Sequence, residues 1–264
     1  MLGKLLKYEF KATARLFLPL YLALLAFALI NRFISPFKVF EPSTALLDLQ
    51  MLISLLSIFI YFALIVGVIA MTVIIMIRRF YTSLLGDEGY LMFTLPVKPW
   101  QHIVSKLITA MAWTTLSFLV TVGSIVIIAG EPGLAVQLKE FIVAFQEIFG
   151  VAGYYILPGY ALAAMASNIL MIYAAIALGH LFSKQKLIAT FAMYCVLYIV
   201  SQLLIILIFV PFVLPFMRFL INPATPAPGQ INSLLLLFLL PIVILGAGYF
   251  ILTNMILKFK LNLE

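Results

Sequence analysis

The chain has 264 residues, 66% of them apolar and 9% charged, and a formal net charge of +7. Soluble domains run nearer half apolar and about a quarter charged, so too few polar residues are present to cover a water-exposed surface. A soluble enzyme is disfavoured on these grounds, and an all-α integral membrane protein, with 1–264 forming one transmembrane domain, is expected.

Six long runs carry no Asp, Glu, Lys or Arg: Leu16 to Asn31, Leu49 to Ile77, Leu107 to Gly130, Ile148 to Ser183, Leu187 to Met217 and Phe219 to Leu257. A helix needs about 20 residues to cross the hydrocarbon, and Arg32 can snorkel to lengthen the first run. The fourth and sixth runs exceed one span but hold turn-forming excess, Gly150, Gly153, Pro158 and Gly159 in one and 222–230 in the other. Spans are therefore expected near 16–34, 49–85, 99–129, 157–182, 187–217 and 232–257. Lys4 to Arg15 followed by Leu16 to Ile30 has the layout of a signal peptide, with Ala26-Phe27-Ala28 as a small-x-small triplet, but it is expected to stay as the first span.

Twelve of the 16 basic residues (Lys4, Lys7, Lys11, Arg15, Arg78, Arg79, Lys98, Lys106, Lys184, Lys186, Lys258, Lys260) fall on one side if both termini are cytoplasmic. Arg32, Lys38, Lys139 and Arg218 fall on the other, so the positive-inside rule favours cytoplasmic N and C termini. The basic balance is thereby accounted for without nucleic acid. The single cysteine, Cys195, lies in the fifth span and excludes a disulfide framework.

In chain order, Leu2 to Arg15 reads as a basic amphipathic helix at the membrane surface, with Pro19 as a place to bend. Ser43 is a candidate N-cap for a long second helix. The loop from Arg78 to Lys106 is the longest on the cytoplasmic side: Gly86 can end the second helix, Asp87 can cap a short helix to about Leu95, Pro96 ends it, and Pro99 suits the first turn of the third span. Leu134 to Phe149 has apolar residues at helical spacing opposite Gln137, Glu140 and Glu147, an amphipathic helix on the outer side. Pro211 and Pro215 are expected to break the fifth span near its outer end.

No acidic residue or lysine falls at bilayer depth in this reading, which disfavours a proton-driven carrier. His180 and Ser183 share a helix end without a nucleophile motif, and His102 is expected to face solvent or a partner. The two histidines are too far apart for a metal site, and no Gly-x-x-x-x-Gly-Lys-[Ser/Thr] cradle for ATP occurs.

The segment Leu84 to Val97, LLGDEGYLMFTLPV, with Trp100 to Lys106 after it, resembles the cytoplasmic loop of type-two ABC exporter permeases, particularly those of Gram-positive bacteria. The opening Leu2 to Phe10, LGKLLKYEF, resembles the N-terminus of the same group. The resemblance implies a six-span permease in the bacterial cytoplasmic membrane with an elbow helix at Leu2 to Arg15 and a coupling helix at about Asp87 to Leu95. It also implies a second permease, identical or homologous, and two separate ATPase subunits that hold ATP and Mg, with no cofactor in this chain. Asp87, Glu88, Tyr90, Leu91, Met92 and Phe93 would dock on the ATPase; these aromatic and aliphatic side chains are too apolar for an open loop. In such exporters the path runs beside spans two and five, which makes Tyr61, Thr72, Tyr194, Tyr198, Ser201 and Gln202 candidate lining residues. The mainly apolar spans suit an amphipathic or hydrophobic cargo such as a peptide, antibiotic or lipid-like molecule. The readings from other classes are an ion-coupled carrier and an intramembrane lipid-modifying enzyme.

Overall fold

The described residues of each charge-free run are mainly helical, as a chain in hydrocarbon must satisfy its backbone polar groups internally. In this computed structural model the described residues are 2–34, 49–86, 89, 97–130, 133–182, 185–221 and 228–259, with side chains described for all but 34, 49, 50, 134, 135, 209, 212–221 and 228–230. The helices are α1 (Leu2–Ile34), α2 (Leu49–Leu84), α3 (Pro99–Ala129), α4 (Leu134–Phe149), α5 (Gly153–Gly179), α6 (Lys186–Ile221) and α7 (Pro228–Phe259). All except α4 are long and apolar enough to cross a membrane, six in total among the described residues. The chain is a multi-pass membrane protein.

Two expectations about proline are corrected. Helix α1 continues through Pro19, the place at which a bend was expected. Helix α6 likewise runs through Pro211 and Pro215 to Ile221. A proline costs one backbone hydrogen bond and a local clash, but helices in lipid have no water to reward unwinding, so the interruption is absorbed. The turn signals behave as expected at two places. Helix α2 ends just before Gly86, whose N–H reaches the Tyr81 carbonyl at 2.9 Å, and α4 ends at Gly150, which takes φ 63°, a left-handed conformation open to glycine.

The chain divides into two compact units, 1–78 with 108–137 and 79–107 with 138–264. In the first, Phe17, Tyr21, Leu24 and Ala28 of α1 meet Tyr61, Val68 and Ile75 of α2 and Trp113 of α3. Phe17 lies flat on Trp113, with centroids 4.6 Å apart at 10°, and the Trp113 Nε1–H donates to Thr13 Oγ1 at 2.7 Å. Hydroxyls join the three helices further along. Thr72 donates to the Val68 carbonyl at 2.7 Å, so its contact with Ser117 Oγ at 2.9 Å is donated by Ser117. Ser117 in turn accepts the Tyr21 hydroxyl at 2.7 Å. Ser124 is committed to the Thr121 carbonyl and accepts the Tyr61 hydroxyl at 2.7 Å. Ser57 donates to the Asn31 side-chain oxygen. Lipid tails are as apolar as leucine, so such close packing and interhelical hydrogen bonds, rather than the hydrophobic effect, hold membrane helices together.

In the second unit α5 is the centre, packing extensively along α7 and along α6, whereas α6 and α7 scarcely touch each other. Small residues allow this. A Cβ added to Gly246 of α7 would lie 3.4 Å from the Ser167 Cβ of α5, and Ala174, Ala175 and Ala177 on α5 are buried. The C-terminal end of α4 is held to this unit by the Asn232 side chain, which donates to the Phe149 carbonyl at 2.7 Å, and by Phe145 against Tyr154 with centroids 4.9 Å apart.

Candidate functional site

Because α6 and α7 both rest on α5 but approach each other closely at few points, the Ser201–Tyr249 side-chain bond among them, a partly open cleft of about 200 Å³ remains between them. Helix α5 supplies Tyr160, Ala164, Ser167, Asn168 and Met171 as its floor. Helix α6 adds Tyr198, Ser201, Gln202 and Ile205, and α7 adds Ile242, Leu245 and Tyr249. The i, i+3, i+4 and i+7 spacing from Tyr198 to Ile205 puts the α6 residues on one stripe. Among the described residues, none that lines the cleft is charged.

Its hydrogen bonds are partly internal. Asn168 donates one amide hydrogen to the Ala164 carbonyl at 2.8 Å, which leaves its oxygen facing outward as an acceptor. Ser201 donates to the Tyr198 carbonyl at 2.7 Å and also bonds to the Tyr249 side chain. Tyr198 and Tyr194 stack one turn apart, centroids 6.4 Å and planes 23° apart.

The candidate path residues thus fall into two sets. Tyr198, Ser201 and Gln202 line the cleft, and Tyr194 stands behind Tyr198. Tyr61 and Thr72 are buried in the other unit, where their hydroxyls bond to Ser124 and Ser117. Asn168, Ser167, Tyr160 and Tyr249 were not singled out from the sequence. Their signal was a polar residue in each of two charge-free runs, but only the packing of α5 on α7 brings them to one place. Asp87, Glu88, Tyr90, Leu91, Met92 and Phe93 lie outside the described residues.

At one end of the second unit, the His180 ring just past α5 accepts hydrogen-bonding reach from Lys186 Nζ to Nε2 at 3.5 Å and bonds to the Leu85 backbone. Tyr81 is tilted against it at 6.1 Å, and Phe80 stacks on Tyr173 at 4.1 Å and 11°. Desolvation by burial holds the His180 pKa below the usual histidine value, and the Lys186 ammonium adds to this. The unfolded chain therefore takes up a proton at higher pH than the folded one. Stability tied to His180 is present above about pH 6.5 and is lost as pH falls from there through the lowered folded value. Melting curves of the native chain and of His180→Gln in detergent should show a weaker acid-side decline in the variant; equal slopes would contradict it. His102 departs from expectation: it is buried on the first turns of α3 together with Ser105 and Lys106, because residues three and four apart share the inward face of that helix.

Compared with known proteins, the chain matches no family model, no curated protein and no solved structure. Fold and site define an all-helical, multi-pass membrane protein with an uncharged polar cleft in one of its two units.

Proposed function

We propose that the chain is the permease subunit of an ATP-driven exporter that moves an amphipathic or hydrophobic cargo across the bacterial cytoplasmic membrane. The observation that carries this reading is the cleft, whose described lining residues combine tyrosine, serine and carboxamide groups with Met171, Ile205, Ile242 and Leu245 and carry no charge. Such a surface suits a molecule with both polar and apolar parts, and it offers no ionisable relay through which a proton gradient could drive movement. Energy then enters from a partner, in keeping with the resemblance of Leu84 to Val97 to exporter coupling loops.

On this reading both termini are cytoplasmic, the basic first turns of α1 lie at the inner head groups, and 87–95 is the coupling helix. Two ATPase subunits and a second permease complete the complex. Asp87 and Glu88 stand out against the basic inner side and suit basic residues on the ATPase, while Tyr90, Leu91, Met92 and Phe93 fill its groove. Replacing Tyr90 and Phe93 together by Ala should uncouple ATP hydrolysis from transport, or release the ATPase, in the reconstituted complex. Unchanged assembly and transport would overturn the docking assignment.

A further inference from the structure

We propose that the cleft between α6 and α7 is a binding site for the uncharged, hydrogen-bonding head of an amphiphile that enters sideways from the membrane. This deepens the cargo reading above and rests on it for its biological setting, though the site itself is argued from geometry.

The opening follows from the packing. Two helices apolar enough to cross a membrane that share the α5 floor but make few backbone contacts with each other leave a gap between them. On α6 its flanks are bare: Ile199, Leu203 and Ile206 are all exposed. An amphiphile can lay its chain there and its head on the floor.

The chemistry of the head follows from which groups remain open. Asn168 keeps its oxygen and one amide hydrogen. Gln202, in the middle of α6, lines the cleft, and no hydrogen bond to its carboxamide is made among the described residues. Two unpaired carboxamides in a membrane-spanning cleft are costly, since an unpaired amide transferred from water to an apolar medium loses several kcal/mol. A hydroxyl- or amide-bearing head would satisfy both by donating to one oxygen and accepting from one N–H. A purely apolar occupant would leave them unpaired. A charged head would have to give up its hydration with no counter-charge on the lining, which costs more than hydrogen bonds to neutral groups return. The volume also selects. About 200 Å³ is below the roughly 300–1,000 Å³ of sites that enclose a whole drug-sized molecule, so the head enters and the chain stays outside.

The test uses the purified full chain in mild detergent and native mass spectrometry, with three probes that share one oleoyl chain: monoolein, oleate and oleylamine. Monoolein should be retained at least about tenfold more than either charged probe, a difference of about 1.4 kcal/mol. The double variant Asn168→Leu, Gln202→Leu should lose that preference. Gln202→Glu at alkaline pH should turn it toward oleylamine, which keeps the proposal testable if the double variant does not fold. Equal retention of all three probes, or an unaltered preference in the variants, would overturn it. A resident lipid and an exchanging cargo share this chemistry: a neutral lipid that copurifies at one per chain identifies the first, binding only of added monoolein the second. Either supports the site. Disulfide-linked dimers of Gln202→Cys, made with Cys195→Ser and binding no monoolein, would make the cleft an interface between copies and refute the proposal. No ATPase is present in these measurements, so failure here falls on the cleft and not on the exporter reading.

Discussion

Trp113→Ala should be the most damaging single substitution in the first unit, lowering stability by about 3–5 kcal/mol, the usual range for removing a large buried aromatic. Trp113 does two things at once. Its ring fills the space between α1 and α3, stacked on Phe17 at 4.6 Å, with Phe10 and Tyr21 tilted against it at 6.0 and 6.2 Å. Its N–H satisfies Thr13, whose own hydrogen goes to the Glu9 carbonyl at 2.8 Å. In lipid the lost contacts are not offset by collapse of the neighbours, because dispersion across a void falls off steeply. Trp113→Phe keeps an aromatic ring against Phe17 but removes the hydrogen bond and part of the ring volume, so it should cost less than the alanine variant, about 1–3 kcal/mol. Unfolding of the purified chain by denaturing detergent measures both. A loss below about 1 kcal/mol for the alanine variant would mean that this cluster does not hold the unit together.

Gly179→Ala should be comparably harmful to the second unit although it adds a single methyl group. The new Cβ would lie 2.5 Å from the Thr190 Cα and 2.6 Å from its backbone nitrogen. Those are main-chain atoms, so no change of rotamer relieves the clash, and α5 and α6 must separate where they meet. Overpacking of this kind typically costs about 1–3 kcal/mol. Gly159→Ala on the same helix is the internal control, since a Cβ there meets nothing within 4 Å. Alanine is the better helix former by about 1 kcal/mol, and that variant should be neutral or slightly more stable. If the two glycine variants unfold alike, the close approach of α5 and α6 is refuted. If Gly179→Ala alone also abolishes monoolein binding, the floor of the cleft and the α5–α6 contact are one structural unit.

How far the sequence could be read depended on whether the signal was local. The bounds of α4 are those given by its periodicity, Leu134 to Phe149, because an amphipathic helix declares its length and Gly150 supplies the stop. Span existence was legible from charge-free runs alone. Pro19, Pro211 and Pro215 were over-weighted, as a rule learned from helices in water takes no account of a solvent that cannot bond a freed carbonyl. His102 was placed in a solvated loop on the strength of its polarity, whereas it lies inside the helix that Pro99 begins. Tyr198, Ser201 and Gln202 were named from the resemblance to exporter permeases, and the structure puts them on one stripe of α6. The partners that make a cleft of that stripe could not be read from the sequence, because Asn168 and Tyr249 reach it only through the meeting of Gly246 with Ser167, distant in sequence.

On the proposed function, this chain supplies the membrane path and a separate subunit supplies the energy. The direct measurement is ATP hydrolysis in the complex isolated through an affinity tag on this chain from its native membrane, read with and without a neutral amphiphile such as monoolein. The expected result is an accompanying ATPase whose activity rises with the amphiphile and falls when Tyr90 and Phe93 are both alanine. Transport or lipid chemistry by the isolated chain in the absence of ATP, with no ATPase accompanying it, would contradict the claim.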